Sequence, residues 1–269
     1  MKIIEGGYGI QGKKRIRISK KNFISVFDPF VKSADYNSIH EIPIDKYEIV
    51  KVCTPNKSKE KIINFCIENY KHILVEKPLS LDQKFIKKIE TKIKNKNLII
   101  YSAYNHRFEP NIVKLKKYLN KNDLGKIYSI NLFYGNGTAK LNKLSKWKDQ
   151  EDGVTSDLIP HLLDMIDFWF DIRPTEIIFK KNLKFENNSY DFSQILMKYN
   201  NIHINLVSSL CSWRNTFKAD IIFEKGSLHI DNLVKWGEST FITRNRKYPS
   251  GYPNEKIYKI SSEDPTWKK

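Results

Sequence analysis

The first hundred residues alternate short runs of β-branched residues with longer stretches in which apolar side chains recur at helical spacing. The short runs predict strands at 2–5, 23–27, 49–53, 72–75 and 98–101. The longer stretches predict helices over 59–69 and 81–94. Strands that alternate with helices are typical of βαβ units, so this part of the chain is predicted to form a doubly wound parallel sheet.

The pattern changes after Tyr104, where helices are predicted over 111–119 and over the strongly apolar segment 155–170. Turn signals separate strands predicted at 127–134, 175–186, 191–199, 202–210, 217–224 and 226–231. Successive strands joined by tight turns indicate a largely antiparallel sheet. We therefore predict an α/β protein of two domains: a doubly wound parallel one over 1–106, and an α+β one with an open, mostly antiparallel sheet over 107–269.

Composition and charge narrow the range of partners. The 269 residues carry a formal net charge of +17, but the basic residues are 40 Lys and only 7 Arg. Because Arg is the better side chain for bidentate recognition of phosphates and bases, we expect no nucleic-acid partner. No apolar run approaches the ~18 residues of a membrane span, and no signal-peptide core follows the first residue. The three cysteines lack metal-ligand spacing, so we expect a cytoplasmic protein without a metal or a membrane partner.

Glycines follow the first predicted strand in the pattern G-x-G-x-x-G, here Gly7-Tyr8-Gly9-Ile10-Gln11-Gly12. The first glycine allows a tight turn, the second lets the backbone approach a pyrophosphate, and the third lets a helix pack closely on the strand. The start of that helix, with the amides of Ile10 and Gln11, would face the phosphates. The motif predicts a dinucleotide site of the Rossmann type; a glycine turn without a ligand is the alternative.

An acidic residue, Asp28, ends the second predicted strand, 16 residues beyond Gly12. A carboxylate at this place accepts hydrogen bonds from the hydroxyls of the adenosine ribose. It also repels a 2′-phosphate, so NAD is favoured over NADP, although Lys32 lies nearby in the sequence.

A lysine, Lys77, follows the fourth predicted strand within the sequence Glu76-Lys77-Pro78. Ligands of a doubly wound sheet bind beyond the carboxyl ends of its strands, so Lys77 is placed where a substrate and a nicotinamide would meet. The alternative is a solvated side chain, since this lysine is one of 40.

Three polar residues, Asp157, His161 and Asp164, fall on one face of the apolar helix predicted over 155–170. Because Pro160 is tolerated only in a first turn, that helix is expected to begin near residue 156. Asp157 is then either an N-cap or a site residue, and His161 is either a core histidine or part of an active-site cleft.

Together these motifs resemble the glucose–fructose oxidoreductase/inositol dehydrogenase family, often called Gfo/Idh/MocA. The combination is specific, because EKP after a strand and D-x-x-x-H far downstream seldom coincide by chance. The matching segments run in the family's order over nearly the whole chain: GYGIQG at 7–12, FDP at 27–29, CTPN at 53–56, HILVEKPLS at 72–80, YNHRFEP at 104–110, LGKIYSI at 124–130 and GVTSDLIPHLLDMIDFWF at 153–170.

The resemblance implies a Rossmann domain followed by a domain whose open sheet often forms dimer or tetramer contacts. It also implies that Lys77, Asp157 and His161 are the catalytic set for oxidising or reducing a sugar or polyol hydroxyl with NAD(P). His161 would act as general base, Lys77 would hold the reacting oxygen, and Asp157 would orient the substrate or the histidine. The Lys77–Pro78 bond is expected to be cis.

The resemblance further assigns binding residues and a substrate class. Cofactor contacts carry over to Thr54, Pro55, Asn56, Glu76 and Lys77, and substrate contacts to Asn105, Arg107, Asp157 and His161. His106 is expected at the surface or in a hinge. The segments 133–153, predicted as a long loop, 234–240 and 248–253 are similar to members from surface-polysaccharide and nucleotide-sugar pathways, which favours a sugar or nucleotide-sugar substrate.

The sequence also departs from the family. Only about 20 residues separate Asp28 from the third predicted strand, so the usual second helix is nearly absent. Lys59 stands where a histidine is common, and Ile159 and Pro160 stand where small residues are common. The sequence stops at Lys269, where relatives continue, so the alternative to an active oxidoreductase is a dinucleotide-binding or interaction protein that has lost turnover.

Overall fold

A computed structural model describes residues 1–79, 81–145, 149 and 152–267. The chain divides into two compact units, Met1–Tyr104 and Asn105–Lys269. Parts of the predicted segments 72–80 and 133–153, and the last two residues, lie outside the described residues. In the described ranges, every helix is too short or too polar to span a bilayer.

The first unit alternates strands and helices, as its sequence pattern predicts. Its elements are β1 (Ile3–Gly6), α1 (Ile10–Ser19), β2 (Phe23–Phe27), β3 (Ile49–Val52), α2 (Asn56–Glu68), β4 (His72–Val75), α3 (Gln83–Lys96) and β5 (Ile100–Ser102). The strands form a parallel sheet in the order β2-β1-β3-β4-β5. The order of the strands reverses between β1 and β3, and ligands of doubly wound sheets bind outside the carboxyl ends at this switch point.

The apolar runs of the first unit form strands because parallel strands are covered on both faces. Val50 and Val52 are fully buried in β3, and α2 places Ile63 and Ile67 in the same core. Residues 28–48, all of which the structure describes, contain short 3₁₀ turns but no α-helix. The shortened connection predicted after Asp28 is therefore confirmed.

The second unit combines helices with one eight-stranded sheet. Its elements are α4 (Pro110–Leu119), β6 (Ile127–Gly135), α5 (Ala139–Lys143), α6 (Val154–Asp157), α7 (Ile159–Phe170), β7 (Glu176–Leu183), β8 (Phe192–Tyr199), β9 (Ile202–Ser209), β10 (Thr216–Phe223), β11 (Gly226–Asp231), β12 (Ser239–Asn245) and β13 (Asn254–Ile260). The strands form an eight-stranded sheet in the order β13-β12-β11-β10-β6-β9-β8-β7. Among these described strands β6 and β9 pair in parallel, and the other neighbours are antiparallel.

The core of the second unit lies between α7 and the sheet. α7 contributes Leu162, Met165 and Trp169, which are almost completely buried in one cluster with Leu206 of β9. The indole Nε1 of Trp169 donates to the carbonyl oxygen of Ile112 at 3.1 Å, which fixes α4 beside α7. This packing holds the polar residues of α7 in fixed positions.

The single helix predicted over 155–170 is wrong, because two helices, α6 and α7, meet at Leu158. Pro160 has no N–H to donate to the carbonyl of Ser156, so a continuous helix would lose a hydrogen bond there. α6 begins at Val154 rather than near residue 156, and the N-cap residue of α7 is Leu158. The interpretation of Asp157 as an N-cap is therefore also wrong.

Two strands were not predicted, and one predicted loop contains regular secondary structure. In β12 the inward positions include Ser239 and Thr243, which are buried but polar, so the apolar alternation is weak. The edge strand β13 is largely exposed and equally weak in pattern. The loop predicted over 133–153 contains the end of β6 and the short helix α5.

Candidate active site

The glycine loop joins β1 to α1, and two of its glycines are required by the geometry of the chain itself. Gly7 has φ +96°, a backbone conformation that favours glycine. A Cβ on Gly12 would lie 1.8 Å from the carbonyl oxygen of Gly7, so a larger residue cannot pack there. A Cβ on Gly9 would have no heavy atom within 4 Å. Open space at this position is what the approach of a pyrophosphate requires.

The start of α1 has the features of an anion-binding helix N-terminus. Gly9 is the N-cap of α1, and no side chain of the described residues caps it. The first turn, with Ile10, Gln11 and Gly12, contains no acidic residue. The positive end of the helix dipole is therefore not offset within its own first turn, which favours a phosphate at this position.

The carboxylate of Asp28 is fixed beside the same loop. Its Oδ2 accepts the amide hydrogen of Tyr8 at 2.8 Å, and its Oδ1 accepts that of Phe30 at 2.9 Å. Both bonds come from the backbone, so the acid has one defined position at the end of β2. Each oxygen has a second lone pair with which it could accept a ribose hydroxyl.

The segment Thr54-Pro55-Asn56 lies at the end of β3, next to the glycine loop. A Cβ on Gly7 would come 2.8 Å from the carbonyl oxygen of Cys53, which shows how close the two strand ends are. The Thr54 hydroxyl is buried, with no hydrogen-bond partner among the described residues. An open helix start, an anchored acid and this hydroxyl together fit a dinucleotide.

The turn with Lys77 follows β4, and its Lys77–Pro78 bond is cis, as predicted. The backbone of this turn is held by Lys59, whose side chain is only 2% exposed. The Lys59 Nζ donates to the carbonyl oxygens of Glu76 at 2.7 Å and Pro78 at 2.6 Å. It also donates to Asn56 Oδ1 at 2.9 Å. Lys59 therefore fixes both sides of Lys77 and connects this turn to the start of α2.

Glu76 is buried and bound to α1. Its Oε1 accepts the Nε–H of Arg15 at 2.6 Å, and the second guanidinium nitrogen lies 2.5 Å away. The carboxylate predicted to contact a cofactor thus positions the helix that carries the glycine loop. Its role as a direct cofactor contact stays a prediction.

A second acid, Glu5, is completely buried on β1 beneath the loop. A Cβ on Gly12 would lie 3.7 Å from its Cγ. Burial raises the pKa of Glu5 to about 8, although the Cys53 thiol and the nearby Lys51 and Arg15 charges offset part of this effect. The protonated form is therefore favoured in the folded protein near neutral pH.

We expect Glu5→Gln to remove a pH-dependent loss of stability. Folding raises the pKa of Glu5, so the folded chain binds the proton more tightly. The free energy of unfolding then falls as pH rises from about 4.5 to about 8. At pH 8.5 the variant should be more stable than the parent by about 4 kcal/mol, because each unit of the pKa shift corresponds to about 1.4 kcal/mol; at pH 4.5 the two should match. Urea unfolding at both pH values measures this difference. Glu90→Gln is the control, because Glu90 is an exposed glutamate on α3. An equal difference at both values would contradict it.

In the second unit, the predicted pair of Asp157 and His161 lies on either side of the break between helices. Asp157 is half-buried at the end of α6, and His161, in the first turn of α7, is 3% exposed. Val154 N–H donates to the carbonyl oxygen of Tyr190 at 2.8 Å, which ties α6 to the chain before β8. The two side chains are thus placed by two short helices and not by one continuous face.

His106 is predicted at the surface or in a hinge, and the surface alternative is wrong, because the residue is buried with an exposure of 2%. Its Nδ1 lies 2.9 Å from the Nδ1 of His161, and its Nε2 lies 2.9 Å from the Nζ of Lys235. Lys235 also donates to the hydroxyl of Tyr134 at 3.2 Å. Desolvation raises the pKa of that phenol, so Tyr134 stays protonated. The prediction failed because nothing in the sequence marks contacts across 55 and 129 residues.

Asn105 and Arg107 both have partners within the second unit. Asn105 Nδ2 donates to the Thr266 hydroxyl at 2.9 Å. Arg107 binds both carboxylate oxygens of Asp164 through Nε at 2.9 Å, and reaches Asp167 through a terminal nitrogen at 2.9 Å. Asp164 therefore holds Arg107 against α7. The substrate-contact roles of Asn105 and Arg107 stay predictions.

Two family models match the chain on either side of the unit boundary. The model described as "Oxidoreductase family, NAD-binding Rossmann fold" matches residues 18–104, and the model described as "GFO/IDH/MocA C-terminal domain" matches residues 112–229. The chain belongs to the Gfo/Idh/MocA oxidoreductase family. The first match begins beyond the glycine loop, so the loop geometry is an independent observation.

Several Gfo/Idh/MocA relatives are similar in sequence. Levoglucosan dehydrogenase from Pseudarthrobacter phenanthrenivorans is 30% identical over 138 residues, which cover 49% of this chain and 35% of that protein. Glucose-6-phosphate 3-dehydrogenase from Bacillus subtilis is 25% identical over 201 residues, which cover 69% and 57%. The matched part of the chain thus spans about a third to just over half of the length of these relatives.

Solved structures share the fold over the whole chain. UDP-N-acetylglucosamine 3-dehydrogenase from Acidithiobacillus ferrooxidans superposes with a TM-score of 0.80 at 16% identity, covering 99% of this chain and 85% of that one. Levoglucosan dehydrogenase in complex with NADH gives a TM-score of 0.80 at 17% identity, covering 97% and 80%. These matches confirm the Gfo/Idh/MocA architecture of a parallel N-terminal sheet and a mostly antiparallel C-terminal sheet.

Proposed function

We propose that the protein is an NAD-dependent oxidoreductase that transfers hydride between nicotinamide and a hydroxyl or carbonyl carbon of a sugar, polyol or nucleotide sugar. The observation that carries this proposal is the glycine loop, with open space at Gly9 and the Asp28 carboxylate anchored beside it by the Tyr8 amide. The names of the sequence relatives, which are dehydrogenases of sugars and of myo-inositol, support the substrate class.

The chain's own residues would supply binding and proton transfer. NAD, when bound, accepts or returns the hydride at C4 of its nicotinamide. The start of α1 and Asp28 would hold the two ends of the dinucleotide's adenosine diphosphate half. Lys77 would hold the reacting oxygen and stabilise charge that develops on it. His161 would exchange the hydroxyl proton, and Asp157 would orient the substrate or the histidine.

The preference for NAD over NADP is proposed to depend on the Asp28 charge. Replacing Asp28 with Asn keeps the shape of the side chain but removes the repulsion of a 2′-phosphate. We expect the ratio of the Kd values for NADPH and NADH to fall about 10-fold, which titration by nicotinamide fluorescence measures. Asp35→Asn is a matched control, because Asp35 also accepts a backbone amide of β2, that of Val26 at 2.9 Å. An unchanged ratio in Asp28→Asn would contradict this preference.

The test of the proposed function is turnover by the purified full chain. The protein is mixed in excess over NAD⁺ with a panel of sugars, polyols, sugar phosphates and UDP-sugars, and absorbance at 340 nm follows a single turnover. The reverse assay uses NADH and the corresponding keto sugars. We expect the absorbance at 340 nm to change with at least one substrate class. NADH binding with flat traces throughout would instead favour the second interpretation, a dinucleotide-binding protein without turnover.

We further propose a homodimer or homotetramer formed through the C-terminal sheet. Apolar side chains on β7 support this assembly, since Ile177, Ile178 and Phe179 are each about half exposed. Exposed apolar patches are typical of surfaces that contact a partner. Sedimentation velocity tests it, with Ile178→Lys expected to yield monomers; a monomeric parent protein would contradict it. The cytoplasmic location and the place in a polysaccharide pathway stay predictions.

A further inference from the structure

Four side chains of the second unit form a continuous chain of hydrogen bonds that ends at His161. The contacts run from His161 Nδ1 to His106 Nδ1 at 2.9 Å, and from His106 Nε2 to Lys235 Nζ at 2.9 Å. Lys235 Nζ donates in turn to the Tyr134 hydroxyl at 3.2 Å. His161, His106 and Tyr134 are each at most 5% exposed, whereas Lys235 is half-buried. The chain thus connects a buried imidazole to an ammonium group that is nearer to solvent.

The turn that carries Lys235 is fixed by several contacts. The carboxylate of Glu109, 1% exposed, accepts the backbone amide hydrogen of Val234. The Lys235 Nζ lies 4.4 Å from the centroid of the Trp236 ring and 5.6 Å from that of the Tyr134 ring. The charge of the Glu109 carboxylate and the cation–π contacts with the two rings therefore stabilise the Lys235 ammonium beside His106.

The charge on Lys235 decides which nitrogen of each histidine carries the proton. An ammonium donates hydrogen bonds and accepts none, so His106 Nε2 must be the acceptor. The neutral His106 ring then carries its hydrogen on Nδ1 and donates it to Nδ1 of His161. His161 in turn carries its own hydrogen on Nε2. The opposite arrangement would place the Nε2–H of His106 against another donor.

We propose that Lys235 and His106 form a proton relay that sets His161 as a proton donor through Nε2 and replaces the proton it gives away. This proposal rests on the proposed function, in which His161 exchanges a proton with the substrate oxygen. With its hydrogen on Nε2, His161 of the resting protein is ready to protonate a carbonyl oxygen. The proposal therefore assigns reduction as the reaction direction, with a keto sugar as substrate. His106 and Lys235 are positioning residues in this scheme, because they act through His161.

Reduction of a carbonyl to an alcohol consumes one hydride and one proton. The reduced nicotinamide would supply a hydride, that is one proton with two electrons, to the carbonyl carbon. The Nε2–H bond of His161 would break as its proton bonds to the carbonyl oxygen. His161 Nδ1 takes the proton from His106 Nδ1, and His106 Nε2 takes one from Lys235, which becomes a neutral amine. After the alcohol leaves, a proton from water enters at His161 Nε2 and the same hops in reverse restore the ammonium.

Other titratable groups surround this relay. Glu109 interacts with both Lys235 and Asp264, and burial raises its pKa to about 7. The charge of Asp157 acts on Tyr134. The charge of Glu109 favours a charged Lys235 and does not reverse the donor–acceptor order.

Nitrogen NMR of the histidine side chains tests the relay without a substrate. In the full-length protein we expect His161 as the Nε2–H tautomer and His106 as the Nδ1–H tautomer. Lys235→Met should release both rings into a mixture of tautomers. Lys114→Met is the matched control, because Lys114 is also half-buried and its Nζ lies 3.6 Å from the Tyr258 ring centroid. An Nδ1–H tautomer of His161 in the parent, or identical spectra in the parent and Lys235→Met, would overturn the relay.

The variant His106→Gln distinguishes two roles of His106. One is to set the His161 tautomer through the direction of the hydrogen bonds, and the other is to pass a proton to His161. The amide oxygen of the variant side chain can accept from Lys235 and its N–H can donate to His161, but an amide does not relay a proton. We expect His161 to keep its Nε2–H tautomer while kcat for reduction falls about 100-fold with little change in KM. An unchanged kcat would overturn the relay. Absence of turnover by the parent protein, with the expected tautomers present, would overturn the proposed function instead.

Discussion

Replacing Lys77 with Ala is expected to lower the rate of hydride transfer about 10²–10³-fold while the Kd for NADH changes less than about 3-fold. The loss arises because the ammonium is proposed to stabilise charge on the reacting oxygen, which develops only in the transition state. The turn itself should persist, since Lys59 holds it through the carbonyl oxygens of Glu76 and Pro78.

Single-turnover absorbance and NADH fluorescence measure the two quantities in the same preparation. Lys71→Ala is the control, because Lys71 is another half-buried lysine of the first unit, bound to the carbonyl oxygen of Tyr47 at 2.7 Å. It should leave both quantities unchanged. An equal loss of rate and affinity in Lys77→Ala would mean that Lys77 is a cofactor contact and not a catalytic residue.

Gly9→Ala and Gly12→Ala are expected to impair different properties. The first should weaken NADH binding, and the second should lower the stability of the fold. A Cβ at Gly9 meets nothing of the chain within 4 Å, and its φ of −76° suits alanine. Gly9→Ala should therefore fold normally, yet bind NADH at least about 10-fold more weakly because the methyl group occupies the pyrophosphate approach. A Cβ at Gly12 would lie 1.8 Å from a backbone oxygen, so Gly12→Ala should lose about 3 kcal/mol or more of stability.

Urea unfolding and NADH titration of both variants check this contrast. The two variants add the same methyl group three residues apart, so each is the control for the other. A stable Gly12→Ala would contradict the packing that the structure shows. A Gly9→Ala variant with undiminished NADH affinity would mean that the open space at the start of α1 is not where a dinucleotide binds.

The strands of the first unit could be predicted because physical constraints there act locally. Central parallel strands are apolar on both faces, so their ends are marked by the first polar or turn residue. β2 and β4 lie at their predicted bounds, and the ends of β1, β3 and β5 differ by at most two residues. The glycine loop could be predicted for the same reason, because the turn itself requires glycine at positions 7 and 12.

The second unit was harder to predict because its decisive contacts are distant in sequence. Pro160 signalled a helix start, but the apolar run on both sides concealed the break at Leu158. Ser239 and Thr243 face inward in β12 without an apolar pattern. His106 and Lys235 carried no signal, because one polar residue in an irregular segment and one lysine among 40 have no periodicity to interpret.

In the proposed function, hydride passes directly between the nicotinamide and a sugar carbon on this chain. The most direct measurement is mass spectrometry of the products after a single turnover with NADH that carries deuterium at both C4 positions, and with the keto sugar that responds in the panel. We predict one deuterium on the carbon of the newly formed alcohol, and the same labelled alcohol formed about 10²–10³-fold more slowly when Lys77→Ala replaces the parent protein. An unlabelled alcohol, or no product with any keto sugar despite bound NADH, would contradict the account.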